Sequence, residues 1–341
     1  WGSEMCIRDR RTLSQWVKFA NSLRLRLAIR VSMSAPDLAR AEVAKAMDAT
    51  AGGVLESADE TVAVSTESGY KNPLGTVNEG WGEVFMGATM ESVLVGYNDP
   101  RLIKYYSKAE GGDIKDEKGN LIIAERNKIA GTYKGVPQGT GVTVKDENRY
   151  RLHSKSTITK QTDAILMTAA EVWFLRAEAA LRGFTSENVK DCYEKGITVS
   201  CQQWGVNVGD YLTSDATPSD YVDAFEAKYD VKALIKVTPK WDGGASPEEQ
   251  LERILTQKWI ACYPEGYEAW TEQRRTGYPQ LFKVFVNNSG GAIDTDIRIR
   301  RLPYPSDIQK NNPTQYSALK KALGGEDNGG TRLWWDTGRN F

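Results

Sequence analysis

AEVWFLRAEAALRG, residues 170–183, and SENVKDCYEKGI, residues 186–197, read as two helices joined by a short turn. Trp173, Ala177, Val189, Tyr193 and Gly196 follow one another at spacings of four, twelve, four and three, which keeps one face of each helix turned to the other. Ala177 and Gly196 are small enough to let the two axes approach, and Trp173 and Tyr193 fill the space around them. Cys192 and Cys201 fall on the second helix, about 13 Å apart along its axis and on opposite faces. No bridge can join them on one continuous helix, so buried free thiols are expected.

The same spacing matches the tetratricopeptide pattern, and such hairpins need stacked neighbours to bury their faces. RTLSQWVKFANSLRLRLAIRVS, residues 11–32, supplies one. Trp16, Ala20, Leu23, Leu27 and Val31 recur at steps of four and three as an apolar stripe. Pro36 suits the first turn of a second helix, reaching to about Thr50, and so short a connection makes an antiparallel pair. A third start signal is Ser246-Pro-Glu-Glu249, a capping box ahead of the stripe Leu251, Leu255, Trp259 and Cys262. Tyr263-Pro264 stops that helix and opens GYEAWTEQRRTG, which Gly277 can terminate. The expected fold is all-α, with tetratricopeptide-like helical hairpins, long irregular loops and minor β structure.

Residues 52–160 change character, being rich in Gly, Asn, Asp and Thr. Helices are expected only over Gly82–Val95 and Pro100–Lys108; KDEKGNL reads as a polar turn and YKGVPQGTGVTV as a loop entering an extended piece. So long an irregular region is usually a binding surface. Aromatics are the chemistry it offers, among 10 Trp and 15 Tyr in the chain. Sugar rings pack on indole and phenol planes while Asn, Asp and Arg satisfy the hydroxyls. Trp16, Trp173, Trp259 and Trp270 lie on helical stripes and are expected in the core, as is one of the adjacent Trp334 and Trp335. Trp81, Tyr70 and Tyr133 fall in the irregular region and are the candidate ligand-binding residues. Asp99 and Arg101 flank Pro100 and read as an ion pair that pins a loop.

Other chemistries find little support. Lys plus Arg number 44 against 45 for Asp plus Glu, and no basic stripe invites nucleic acid. Arg298, Arg300 and Arg301 alternate with isoleucines and read as a solvated edge. No apolar run is long enough to span a membrane. His153, the one histidine, lies in no nucleophile-elbow pattern and reads as a surface or loop residue. Glu171 and Glu178 share a helix face about 10 Å apart, where solvated or ion-paired roles are the normal fate. Glu326, Asp327 and Asn328 offer calcium oxygens without the spacing of an EF-hand loop, and a glycine-rich turn is the better reading. No catalytic residue, metal ligand or cofactor is assigned.

Several stretches, in order, resemble the SusD/RagB family, and especially its SusD-like second group. They are QWVKFANSLRLRLAIRVS (15–32), GYNDPRL (96–102), YKGVPQG (133–139), ILTQKWIACYPEGYEAWTEQRRTGYPQL (254–281), RIRRLPYPSDIQKNNPTQY (298–316) and LGGEDNGGTRLWWD (323–336). The resemblance implies an outer-membrane nutrient-binding lipoprotein on the extracellular face of the cell. It would capture glycan or peptide ligands and deliver them to a SusC-type TonB-dependent transporter. Two alternatives stand beside it: a helical polysaccharide hydrolase, and a protein-interaction scaffold that uses its hairpins alone. Family members carry a signal peptide, a lipid-anchored cysteine and further helices ahead of the equivalent of Trp16. WGSEMCIRDR shows none of these, nor does anything before Cys6 resemble a lipobox. Residues 1–10 are therefore expected to be a non-native start, joined to one domain over 11–341 that lacks its N-terminal part. A solvent-facing apolar patch beside Trp16–Val31 is the corresponding structural expectation.

Overall fold

The computed structural model describes residues 12–67, 69–141 and 148–341, so Cys6, the expected non-native start and the extended piece at 142–144 lie outside the described residues. Thr12 opens helix α1 (Leu13–Arg30) with a capping box: its hydroxyl accepts from the Gln15 amide, and the Gln15 side chain accepts from the Thr12 amide. Pro36 opens α2 (Pro36–Ala46), which packs against α1 and ends four residues before Thr50. The buried face of α1 differs from the one expected. Leu25, Ala28 and Ile29 are buried, with Ser22, whose hydroxyl accepts from the Leu55 amide. Trp16 and Val17 face solvent with Leu13, and Leu27 is 52% exposed. This helix carries apolar residues on two sides, and periodicity alone cannot say which side meets the core.

Residues 52–160 hold more order than their composition suggests. Asn72-Pro73 starts α3 (Pro73–Trp81), which ends where Gly82 turns left-handed at φ 65°, so Gly82 closes a helix rather than opening one. α4 (Ala88–Gly96) follows, then a four-residue α5 (Leu102–Tyr105) where a longer helix was expected. Strands β1 (Val62–Val64), β2 (Ile114–Lys115), β3 (Leu121–Ile123) and β4 (Ala164–Met167) form two antiparallel pairs, β1 with β4 and β2 with β3. KDEKGNL is the turn of the second pair, wound around Asp116, whose Oδ1 accepts from the amides of Lys118 and Asn120.

The central hairpin is α6 (Ala169–Leu181) and α7 (Val189–Gln203), capped by Thr168 and Asn188. A Cβ on Gly196 would sit 2.8 Å from the Phe174 ring, so close approach does depend on that glycine. Phe174, edge-on to Tyr193, fills the contact. Trp173 instead turns to the rim, where its Nε1 donates to the Glu56 carbonyl and Arg176 lies 3.7 Å from its ring centre. α1 packs on α6, α6 on α8 (Pro247–Ala261), and α9 (Gly266–Thr276) on α8. Ser246 and Glu249 form the expected capping box, and Gly277 closes α9 at φ 79°. Cys192, Cys201 and Cys262 are buried free thiols. Two outer helices, α10 (Ser306–Asn311) and α11 (Pro313–Leu323), complete the chain.

Between α1, α6, α8 and α9 lies a buried chain of charges. Glu171 pairs with Arg26 at 2.6 Å, and Arg26 also reaches Glu268 at 3.6 Å. Glu268 accepts from Arg30 and from Lys258 at 3.0 Å, and Lys258 reaches Glu272 at 3.1 Å. Arg275 then joins Glu272 at 2.6 Å to Glu178 at 2.7 Å, and Arg182 closes the line on Glu178. Burial alone would raise the Glu272 carboxyl, but Arg275 and Lys258 hold it well below the usual range. Glu171 and Glu178 are thus ion-paired, and buried rather than solvated. Truncating one member strands its partners in low dielectric. Glu178→Ala is expected to cost ~4 kcal/mol, read as a lower urea midpoint at unchanged slope. A variant within 1 kcal/mol of the parent would show the network to be energetically slack.

Candidate functional site

Trp81 ends α3, and that helix is fixed by bonds to the main chain of residues 156–162. The Asn72 side chain caps the helix at the Leu74 amide and donates to the Thr162 carbonyl. Asn78 Nδ2 donates to the carbonyls of Ser156 at 2.7 Å and Ile158 at 2.8 Å. Glu79 Oε2 accepts from the Lys160 amide at 2.6 Å. A Cβ on Gly75 would overlap the Thr159 carbonyl, so only glycine lets the helix lie this close. The result is a rigid platform with an indole at its outer end, 64% exposed.

Trp81 borders a groove of about 300 Å³. Phe85 adds a second ring, and Lys115, Asp116, Glu117, Asn148 and Arg151 bring polar groups of both signs around it. Several are held by the local fold: Arg151 donates to the Lys115 carbonyl at 2.7 Å, and the Asn148 side chain accepts from the Tyr150 amide at 3.0 Å. An apolar plane ringed by oriented donors and acceptors suits a sugar, which offers C–H faces and equatorial hydroxyls. Of this groove the sequence reading singled out only Trp81; it took KDEKGNL, with Asp116 and Glu117, as a polar turn and did not single out Phe85, Asn148 or Arg151. The turn's Asp-x-x-Gly-Asn pattern was visible, but nothing local placed it beside Trp81.

The three candidate aromatics do not converge. Tyr70 is exposed on the loop before α3 and lines neither this groove nor the next one. Tyr133 is half-buried against the main core and borders a separate cavity of about 830 Å³ with Asn98, Ile103 and Asn207. Asp99 and Arg101 lie beneath that second cavity as the expected pair, fully buried and bidentate at 2.9 and 2.6 Å. Tyr211, Ser200 and Gln257 satisfy their remaining atoms, so the pair is a structural pin.

Other sequence expectations change. Arg300 and Arg301 are buried ion-pair partners of Asp336 and Asp327, not a solvated edge. Asp327 is thereby occupied at 2.6 Å by Arg301, and Glu326 meets Lys320 at 3.0 Å. Among the described residues no group of three His, Cys, Asp or Glu side chains could hold a metal ion, and no helix is long and apolar enough to cross a membrane. Of the adjacent tryptophans, Trp334 is 68% exposed and Trp335 lies under Arg274.

His153 is not a surface residue. It is 2% exposed between Tyr150 and Phe225, and neither ring nitrogen has a hydrogen-bond partner. Among the described residues no hydroxyl or thiol is hydrogen-bonded to either ring nitrogen.

The family model of SusD-like proteins, described as Susd and RagB outer membrane lipoprotein, matches residues 9–336. A solved SusD homolog from Bacteroides vulgatus is 53% identical, with a TM-score of 0.87 over 97% of this chain and 64% of that one. A chitin-binding SusD homolog from Flavobacterium johnsoniae is 37% identical, with a TM-score of 0.85 over 96% of this chain and 64% of that one. A SusD homolog from Bacteroides thetaiotaomicron is 34% identical, with a TM-score of 0.82 over 96% and 67%. The chain spans less than two thirds of the first two. No curated protein matches.

Burial, reinforced by Lys134, pushes the His153 imidazole down to about 3. In the unfolded chain it titrates near ~6.5. The folded state therefore binds fewer protons between these values. The stability from keeping the ring neutral is complete above the unfolded value and is lost as pH falls toward the folded one. His153→Phe removes that liability. Its stability relative to the parent should rise by about 1 kcal/mol per pH unit between pH 6 and 4, measured by urea titration. Parallel pH profiles for the two proteins would show that the ring is solvated.

Proposed function

The chain belongs to the SusD-like family of outer-membrane lipoproteins, and on that premise we propose that it captures glycans at the cell surface, with Trp81 as the anchor of its ligand surface. The observation that carries this reading is the exposed indole on a pinned helix, beside a groove of mixed polar groups. An indole gives a large contact area with few rotors to freeze. Its helix is already held by Asn72, Asn78 and Glu79, so binding need not order it. Tyr70 and Tyr133 are further proposed contacts, Tyr133 in its own cavity.

In this role the protein sits on the extracellular face of the outer membrane and hands its ligand to a SusC-type TonB-dependent transporter. Capture rather than turnover is the proposed activity. The resemblance to a chitin-binding homolog supports a glycan over a peptide and makes chitin oligosaccharides the first ligands to test.

Calorimetry with such oligosaccharides should give heats of binding, while product analysis finds no new reducing ends. Trp81→Ala should weaken binding about thirtyfold, the equivalent of losing ~2 kcal/mol of stacking. Its melting temperature should stay close to the parent's, because the ring is largely solvated already. Unchanged binding in this variant would move the site, and the Tyr133 cavity would be next. Sustained release of reducing ends, abolished by one carboxylate substitution, would overturn the capture reading itself.

A further inference from the structure

A second pocket, of about 460 Å³, opens between the C-terminal end of α9 and residues 296–300, and it shares no lining residue with the Trp81 groove. Its wall is dominated by guanidinium groups. Arg274 is 7% exposed yet forms no ion pair with any described residue; its donors go to the Arg300 carbonyl at 2.7 Å and the Thr271 hydroxyl at 3.0 Å. Its guanidinium lies 3.6 Å from the centre of the Trp270 ring. Burial and the neighbouring Arg300 push Arg274 down to about 10, against the weaker pull of Asp336 and Glu268.

Arg298 is the second anomaly. Its backbone is left-handed, at φ 64°, a conformation that disfavours every residue with a Cβ. One Nη donates to Gln138 at 3.0 Å, while the other is buried with no partner at all. It too forms no ion pair among the described residues. Arg300 and Arg332 share a single carboxylate, Asp336, at 2.7 and 2.5 Å. The remaining cations of the wall are answered: Lys283 by Asp296, and Arg275 by Glu178 and Glu272. Among the described residues, Arg274, Arg298, Arg300 and Arg332 therefore face one carboxylate, a local excess of three positive charges, and Arg274 and Arg298 have no ion-pair partner. Planar guanidinium forks match the oxygen spacing of carboxylates and of sulfate or phosphate groups.

We infer that this pocket is an oxyanion-binding site, taking the carboxylate or sulfate ester of an acidic ligand. The site stands on its own geometry. Only the further step, that the oxyanion is carried by an acidic sugar such as a uronate or a sulfated residue, rests on the capture reading above.

Thermal melting separates the two. The chain is melted in sodium sulfate and in sodium glucuronate, each against sodium chloride at the same ionic strength. A saturable rise in melting temperature is expected with at least one of the two anions. Arg298→Gln and Arg332→Gln, each confirmed folded by circular dichroism, should raise the half-saturating concentration tenfold or more. Trp81→Ala should leave it unchanged, so failure of the glycan groove does not touch this test. Response to sulfate alone identifies an ester sulfate, and response to glucuronate alone a carboxylate; both support the site. Sulfate stabilises folded proteins generally by its exclusion from their surfaces. A rise that persists unchanged in both variants is that general effect, and it overturns the inference, as does no excess over chloride for either anion.

Discussion

The fold depends on a line of nine charges that its four central helices share. Glu171, Arg26, Glu268, Lys258, Glu272, Arg275, Glu178 and Arg182 alternate in sign along it, with Arg30 added at Glu268. Each ion loses several kcal/mol of hydration on burial, and only well-aligned partners recover it. That makes the arrangement a register device more than a source of net stability. A shift of α9 by one residue would carry Glu268, Glu272 and Arg275 together away from Arg26, Arg30, Lys258 and Glu178 on the other helices.

This network also explains what could be read from the sequence and what could not. The hairpin at α6 and α7 was legible because its contact is made by shape, with Gly196 against Phe174. The start of α8 was legible because capping is local, Ser246 and Glu249 being three residues apart. The buried face of α9 was not, since Glu268, Glu272 and Arg275 look like a solvated helix until their partners from α1, α6 and α8 are in place. Arg300 and His153 misled for the same reason: polar residues were assigned to water when distant elements had in fact excluded it. On α1 the opposite happened, and an apolar stripe at Trp16 and Leu27 turned outward. Of the candidate site, the exposed anchor at Trp81 was legible, but its groove was not. Asp116 reaches it on the β2–β3 turn and Arg151 from a distant turn bonded to the Lys115 carbonyl, a packing no local pattern encodes.

The excess of aromatic residues divides between two uses. Tyr105, Tyr106, Trp204 and Tyr263 form one buried cluster, with Tyr105 and Tyr263 stacked at 4.3 Å and Trp204 edge-on to Tyr105 at 4.8 Å. It ties the end of α7 and the end of α8 to the irregular region, supplying rigid bulk where regular helices give out. Other rings lie under arginines at the surface, as Trp173 and Trp270 do. Trp81 belongs to neither group, its indole being 64% exposed.

The way α3 is fastened has a consequence for how such a protein can change. Asn72, Asn78, Glu79 and Gly75 all engage main-chain atoms of residues 156–162 and none of their side chains. The opposing segment is therefore gripped by its backbone rather than by its side chains. Substitutions around the rim of the groove leave the mounting of the indole intact. The groove is free to change by single steps across a lineage, each intermediate still presenting an aromatic plane, so evolvability is built into the joint itself.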